Sequence, residues 1–216
     1  LKWSIENVQL KCDIVTIDNT LQNNYDSHLL NGGKLPVSYN TYVTQSQAIS
    51  GTDVSVNISR AISRLKSVFV TFHKADHAHP ASKEFNDFNH PMHNAMVSGA
   101  SPYDKDYELE VQLQIGSKLF PEYPIRSISE AFSQLKKSVG ILGSNFHSLS
   151  ISPTQYRNDH FVIGIDTEKA LGASYTGINT RAGDLLSVRV KALKPATLTS
   201  VLMPNQLFVV LHSDCM

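Results

Sequence analysis

Hydrophobic and polar positions between residues 107 and 140 change their period once, which predicts a strand followed by a helix. From Tyr107 to Ile115 apolar and polar residues alternate, with Leu109, Val111 and Leu113 on the apolar face. Period two over this length is typical of a strand with one buried face. Two prolines then occur between 119 and 126. Because proline cannot donate to a ladder, we predict an extended surface loop there rather than a central strand.

The period then becomes helical. Ser127 and Glu130 have the spacing of a capping box, in which the serine accepts from the N3 amide and the glutamate reaches back. Apolar residues follow at helical spacing, and Gly140 comes directly after them. The pattern predicts one amphipathic helix over about 127–140. Its apolar stripe is Ile128, Ala131, Phe132, Leu135 and Val139.

Most of the remaining chain has strand patterns joined by long polar segments. Strands are predicted at 37–43, 54–58, 65–72, 161–165 and 186–192, with a short helix at 19–30. Residues 4–17 are predicted as one long strand or a bulged pair, and 198–203 with 207–211 as one strand bent or bulged at Pro204, or a pair. Helices do not alternate with strands, which argues against a parallel sheet, and no fixed repeat indicates a propeller. Long connections, one of them helical, favour a jelly roll over an immunoglobulin-like sandwich. We therefore predict an all-β protein, an antiparallel eight-stranded jelly-roll sandwich, as one domain over 1–216.

Charge and cysteine content narrow the function classes. The chain has 19 basic and 19 acidic side chains, which argues against a general nucleic-acid surface. The sequence contains no run of about 18 apolar residues, so no membrane span is predicted. Cys12 and Cys215 are interpreted as unpaired thiols, with a disulfide as the alternative. Since the chain begins without methionine and ends directly after a strand pattern, we expect it to be a segment of a longer protein.

The insertion from 73 to 106 is rich in histidine and raises the possibility of a metal site. Its best candidate ligands, at spacings that suit zinc, are His77, His79, His90 and His93. Against this, the insertion has no cysteine and no His-Glu-x-x-His helix. We therefore predict a polar surface loop with no metal or cofactor, and keep the four histidines as the alternative. If they lie at a subunit interface, assembly should respond to pH near about 6.5.

Motifs for catalysis are absent from the sequence. It contains no Gly-x-Ser-x-Gly elbow, no Gly-x-Gly-x-x-Gly loop and no Walker loop. Glu108 and Glu110 share the polar face of a strand, and we interpret them as a solvated or inter-subunit face rather than a glycosidase pair. We predict no catalytic residues and no enzyme activity. A carbohydrate-binding module and a cupin-like metal enzyme remain as alternatives.

In layout, the chain resembles the C-terminal jelly roll of double jelly-roll major capsid proteins from Polinton-like and adinto-like viruses. Shared features include a basic-then-apolar strand like Arg64–Phe72, an Asn- and Phe-rich loop like Phe85–His90, and a strand ending in aspartate like Phe161–Asp166. The similarity continues, in chain order, at 5–17, 109–124, 128–139, 185–190 and 198–211. That family carries two tandem jelly rolls, and only one fits in 216 residues.

The resemblance implies a structural role without catalytic residues or cofactor. It implies a homotrimer that forms a pseudo-hexagonal tile, as in adenovirus hexon, within an icosahedral shell assembled in the host cell. Expected partners are copies of the chain, neighbouring capsomers, and minor capsid or penton proteins. Direct contact with nucleic acid is not expected.

Overall fold

A computed structural model describes residues 4–37, 39–73, 88, 90–91, 109–158, 160–168, 177–181, 185–191 and 204–215, with the backbone alone for Asn158 and Cys215. The chain divides into two compact units, Leu1–Val37 with Met216, and Ser38–Cys215. The second unit holds every described strand. These are β1 Tyr39–Ala48, β2 Val54–Ile58, β3 Leu65–His73, β4 Glu110–Ile115, β5 Lys118–Ile125, β6 Ile163–Asp166, β7 Leu186–Lys191 and β8 Gln206–Cys215.

These strands form two antiparallel four-stranded sheets. The first sheet has the order β1-β8-β3-β6, and the second has the order β2-β7-β4-β5. The first strand therefore pairs with the last, the second with the seventh, the third with the sixth and the fourth with the fifth. One long hairpin rolled into two layers gives this pairing, which is that of a jelly roll. The predicted eight-stranded antiparallel jelly roll is confirmed.

The core lies between the two sheets, because alternate residues of each strand point inward. Val68, Val70 and Phe72 of β3 are buried there, opposite Val111 and Leu113 of β4. The inward residues of the other strands are Val56, Ile58, Ile163, Ile165, Leu186, Val188, Val190, Leu207, Val209 and Leu211. The clean alternation at 107–115 thus predicted the buried face correctly for the described residues of β4.

Helix α2, Ile128–Ser138, confirms the predicted amphipathic helix. Ser127 Oγ accepts from the amide of Glu130 at 3.1 Å, as the capping box requires. The carboxylate of Glu130 instead accepts from the amide of Arg126 at 3.2 Å, one residue outside the expected partner. The helix packs against β6, and Gly164 permits the approach, since a Cβ there would lie 2.6 Å from Ser138 Oγ.

The proline-containing stretch predicted as a loop is β5, so that prediction is wrong. β5 lies at the edge of the second sheet, and among the described strands it pairs only with β4. An edge strand tolerates Pro121 and Pro124 because their missing donors are not needed by a further neighbour. The register in which β5 pairs with β4 shifts between Val111 and Leu113.

The first unit also differs from its prediction. Residues 4–17 were predicted as a strand because part of the segment alternates, but they form no strand and are exposed throughout. A strand needs a partner for its backbone groups, and none of the described strands pairs with this segment. Helix α1, Asn19–Leu30, was predicted correctly. Its N-cap is Asp18, whose carboxylate accepts from the amide of Thr20 at 3.1 Å. None of its residues is buried.

Other boundaries moved modestly. β1 extends to Ala48, five residues beyond the predicted strand end at Val43. A short helix, α3 Pro153–Asn158, lies between the predicted helix at 127–140 and the predicted strand at 161–165, where no element was expected. Cys12 carries a free, exposed thiol, and the side chain of Cys215 lies outside the described part of the chain.

Candidate functional site

A row of polar side chains crosses the outer face of the first sheet. The strand register places Tyr42 beside His212, His212 beside Ser67, and Ser67 beside Asp166, one residue from each strand. The Tyr42 and His212 rings stack with centroids 4.7 Å apart and planes 7° apart. On the other side, His212 Nδ1 lies 3.0 Å from Ser67 Oγ. The imidazole is therefore held between an aromatic ring and a hydroxyl.

Burial lowers the pKa of His212 below its ordinary value of 6.5. The ammonium group of Lys66 lowers it further, whereas the carboxylates of Glu168 and Asp214 oppose this effect. Nε2 of His212 is buried and has no hydrogen-bond partner among the described residues. A protonated imidazole would place an unsatisfied charged donor at that atom, so the site favours the neutral ring.

The Ser67–His212 pair has the residue types of a hydrolytic dyad, but its setting does not suit nucleophilic catalysis. Ser67 is only 1% exposed, within a central strand of the sheet. In a triad, an acid orients the histidine nitrogen that faces away from the serine. Here that atom, Nε2, has no such partner in the described part of the chain. The pair is therefore best explained as a cross-strand hydrogen bond that fixes the imidazole.

The sequence analysis did not single out this row. His212, Tyr42 and Ser67 are far apart in the sequence, and only the strand register brings them together. The one signal was His212 itself, a titratable residue directly after the apolar strand pattern from 207 to 211.

The histidine-rich insertion is described at Phe88, His90 and Pro91 and at its first residue, His73. The imidazole of His90 is buried and packs edge-on against Phe161, with centroids 4.3 Å apart. Backbone bonds hold the same segment, from Phe161 N to Phe88 O at 2.8 Å and from His90 N to Arg157 O at 3.1 Å. This part of the insertion is thus fixed to the sandwich rather than loose on its surface.

Of the four candidate metal ligands, His90 is described, and His77, His79 and His93 lie outside the described residues. Where the structure describes the chain, no three His, Cys, Asp or Glu side chains are placed to hold a metal ion. His90 packs against an aromatic ring, which by itself explains its burial. The arrangement of the other three is not part of the described structure.

The polar face of β4 is tied into its own sheet. Glu110 pairs with Arg126 at 2.8 Å, and Gln112 Nε2 donates to the carbonyls of Pro121 and Glu122 at 3.0 Å each. Gln114 Nε2 donates to the carbonyl of Gly116 at 2.8 Å. Glu110, interpreted from the sequence as part of a solvated or inter-subunit face, is thus paired within its own sheet, whereas Glu108 lies outside the described residues.

A sugar-binding platform would need aromatic rings on one exposed face. Tyr39 and Tyr42 are exposed but lie at odd and even positions of β1, which point to opposite faces. Tyr123 belongs to β5 in the other sheet. Among the described aromatic residues, these exposed tyrosines do not form such a platform. Trp3 lies outside the described residues.

Strand β1 leaves one edge of the first sheet open. It pairs with β8 over ten residues in continuous register, and no described strand pairs with its other edge. The segment Tyr39–Ala48 contains neither a charged residue nor a proline. Natural edge strands are usually protected by charge, proline, bulges or short length, and β1 has none of these.

Residues 4–17 expose large apolar side chains. Leu10 is 90% exposed and Ile14 is 92% exposed, and Val8, Val15 and Ile5 are nearly as open. Such a concentration on one short segment is typical of an interaction surface. Within the described residues, no helix combines the length and apolar character needed to cross a membrane. No protein-family model and no curated protein matches this chain.

Proposed function

We propose that this chain is a structural shell protein that assembles with copies of itself into trimeric, pseudo-hexameric capsomers of an icosahedral virion. The observation that carries the proposal is the exposed apolar segment 4–17, with Leu10 and Ile14 almost fully in water. Burying such side chains removes apolar area from solvent, which is the main driving force of protein association. The second unit contributes an open strand edge that is equally suited to contact.

The fold is compatible with this role. A jelly roll presents two broad sheet faces and sets of loops at its ends, where contacts between subunits can be built. The fold alone does not define a function. The proposal therefore rests on the exposed apolar side chains and the unprotected edge, together with the resemblance in layout to double jelly-roll capsid proteins.

Sedimentation velocity with light scattering over a range of concentrations tests the proposal. We expect a species of about three times the chain mass of 23.9 kDa, and hexagonal tiles or shells by electron microscopy. As partners we expect copies of the chain, with minor capsid or penton proteins joining the shell. A chain that remains a monomer at every concentration would contradict self-assembly.

The test has an internal control for non-specific aggregation. A closed symmetric oligomer reaches one defined mass, whereas aggregation driven by an exposed apolar patch gives a continuous distribution. A discrete trimer supports a shell subunit. An open-ended distribution without a preferred size contradicts the proposed capsomer.

A further inference from the structure

The exposed segment has the chemistry of a strand that lacks its partner. The ten residues from Val8 to Ile17 contain neither proline nor glycine, and apolar and polar residues alternate from Val8 to Ile14. Val8, Leu10, Cys12 and Ile14 share one face, and Gln9, Lys11 and Asp13 share the other. We call residues 8–17 the arm. Since it forms no described strand, its backbone donors and acceptors are available for strand addition.

The four sheet edges differ in their ability to accept a strand. β2 has five residues and β6 has four, and β6 is also packed against α2. β5 contains two prolines and pairs with β4 through a register shift. β1 alone among the described edges is ten residues long, regular, uncharged and free of proline. It therefore offers the best template for an added strand.

We propose that the arm of one copy adds as a fifth strand to the free edge of β1 in a second copy. The inference rests on the proposed function, because that function makes the partner another copy of this chain. Arm and edge match in length, at ten residues each. The uncharged edge also places no like charge opposite Lys11 or Asp13 of the arm.

The hydrophobic pattern specifies how the arm lies. On β1, Thr41, Val43 and Gln45 point inward and are only half buried, because the sheet ends there. An added strand places alternate residues beside them, and the apolar set Val8, Leu10, Cys12 and Ile14 suits this side. The arm thus extends the core across an open end of the sandwich.

Arm donation is a head-to-tail contact, since the donor and acceptor surfaces are different parts of the chain. A head-to-tail contact closes into a ring when its rotation permits. Three copies that each give one arm and receive one would form a trimer without an unpaired edge of β1. This one type of contact would therefore join all three subunits of the proposed capsomer.

Cys12 allows a direct test, because it is a free, exposed thiol in the middle of the arm. Two full-length chains are mixed, both carrying Cys215→Ser. One keeps Cys12, and the other carries Cys12→Ser with a new cysteine on β1. Paired strands bring Cα atoms to about 4.5–5.5 Å, within the range of a disulfide. Oxidised glutathione serves as the oxidant.

We expect a disulfide between copies from the inward positions, tested with Val43→Cys, Gln45→Cys and Gln47→Cys. Thr44→Cys and Ser46→Cys are matched controls on the opposite face and should remain unlinked. In the otherwise native chain, Leu10→Lys should weaken trimer formation at least tenfold. Gln9→Lys adds the same charge to the other arm face and should have a much smaller effect.

The outcomes separate this inference from the proposed function. Trimers that persist in Leu10→Lys, without the face-specific disulfides, overturn arm exchange and leave the shell function standing. A third chain carries Cys12, Cys215→Ser and Val43→Cys together. If it forms the disulfide within itself while the mixed chains stay unlinked, exchange is also overturned, because the arm then pairs with its own β1. A native chain that does not assemble, together with mixed variants that do not cross-link, overturns both proposals.

Discussion

Ser67 Oγ lies 3.0 Å from Nδ1 of His212, across the register pair that joins β3 to β8. The hydroxyl belongs to a buried residue and meets the edge of the imidazole, while the Tyr42 ring stacks on one of its faces. This arrangement holds a titratable group in a fixed position within the sheet. The stability of the second unit should therefore depend on the charge state of that group.

We expect the free energy of unfolding to decrease as the pH falls below about 6.5. The folded-state pKa of His212 is lowered, chiefly by burial, so the unfolded chain binds this proton more readily. The stabilising contribution is complete above the unfolded pKa and is lost as the pH falls through it. Urea unfolding from about pH 7.5 to about pH 5.5 measures the effect.

His212→Gln should flatten this part of the pH profile, whereas His147→Gln, at an exposed position, should leave it unchanged. An NMR titration gives an independent readout, with a His212 midpoint below that of a free imidazole. A midpoint at or above about 6.5 would contradict the explanation by burial.

Gly164→Ala should destabilise the second unit by roughly 1–3 kcal/mol, the usual range for overpacking. The new Cβ would lie 2.6 Å from Ser138 Oγ and 3.0 Å from Leu135 Cα, so α2 would have to move away from β6. Chemical denaturation measures the loss. Gly143→Ala is the matched control, because a Cβ there meets no atom within 4 Å.

Ser138→Ala combined with Gly164→Ala tests the assigned contact. Removing the Oγ atom should recover part of the lost stability, and the Cβ atom of residue 138 should keep the rescue incomplete. No recovery in the double variant would show that the serine hydroxyl is not the limiting contact.

The jelly roll could be predicted from the sequence because buried and exposed positions recur with the period of each strand and helix. β4 and α2 were found almost to the residue, since a two-residue period and a capping box are local signals. Proline misled the prediction of β5, because its effect depends on whether the strand lies at an edge or in the centre. That position is a property of the whole sheet.

The row of polar side chains on the outer face of the first sheet could not be predicted, because it too depends on the arrangement of the whole sheet. Tyr42, Ser67 and His212 become neighbours only through the pairing of β1, β3 and β8. The segment 4–17 shows the opposite case, in which a correct local pattern gives no strand. An alternating sequence predicts the ability to pair, and the partner determines whether pairing occurs.

Gln112→Ala should lower the free energy of unfolding by about 1–2 kcal/mol, because two carbonyl acceptors lose their donor. Gln112 Nε2 bonds to the Pro121 and Glu122 carbonyls, where β5 departs from regular pairing with β4. Denaturant titration measures the loss. Gln114→Ala removes one bond within a turn, to the carbonyl of Gly116, and should cost less.

Tyr156→Phe should destabilise the second unit by about 1 kcal/mol. The buried hydroxyl donates to the carbonyl of Val162 at 2.7 Å, and the ring packs between Phe132 and Phe161. Phenylalanine keeps the ring contacts but leaves the carbonyl without this donor. Tyr123→Phe, at an exposed position, is the matched control and should leave the urea midpoint unchanged.

The same variant has a signature at alkaline pH. Burial raises the pKa of Tyr156 above its ordinary value of 10.0, so the folded state retains this proton where the unfolded state releases it. The stabilising contribution is complete below the unfolded pKa and is lost as the pH rises through the folded one. The native protein should therefore lose stability above about pH 10 more steeply than Tyr156→Phe. Equal slopes for both proteins would show that Tyr156 ionises as readily in the folded state as in the unfolded chain.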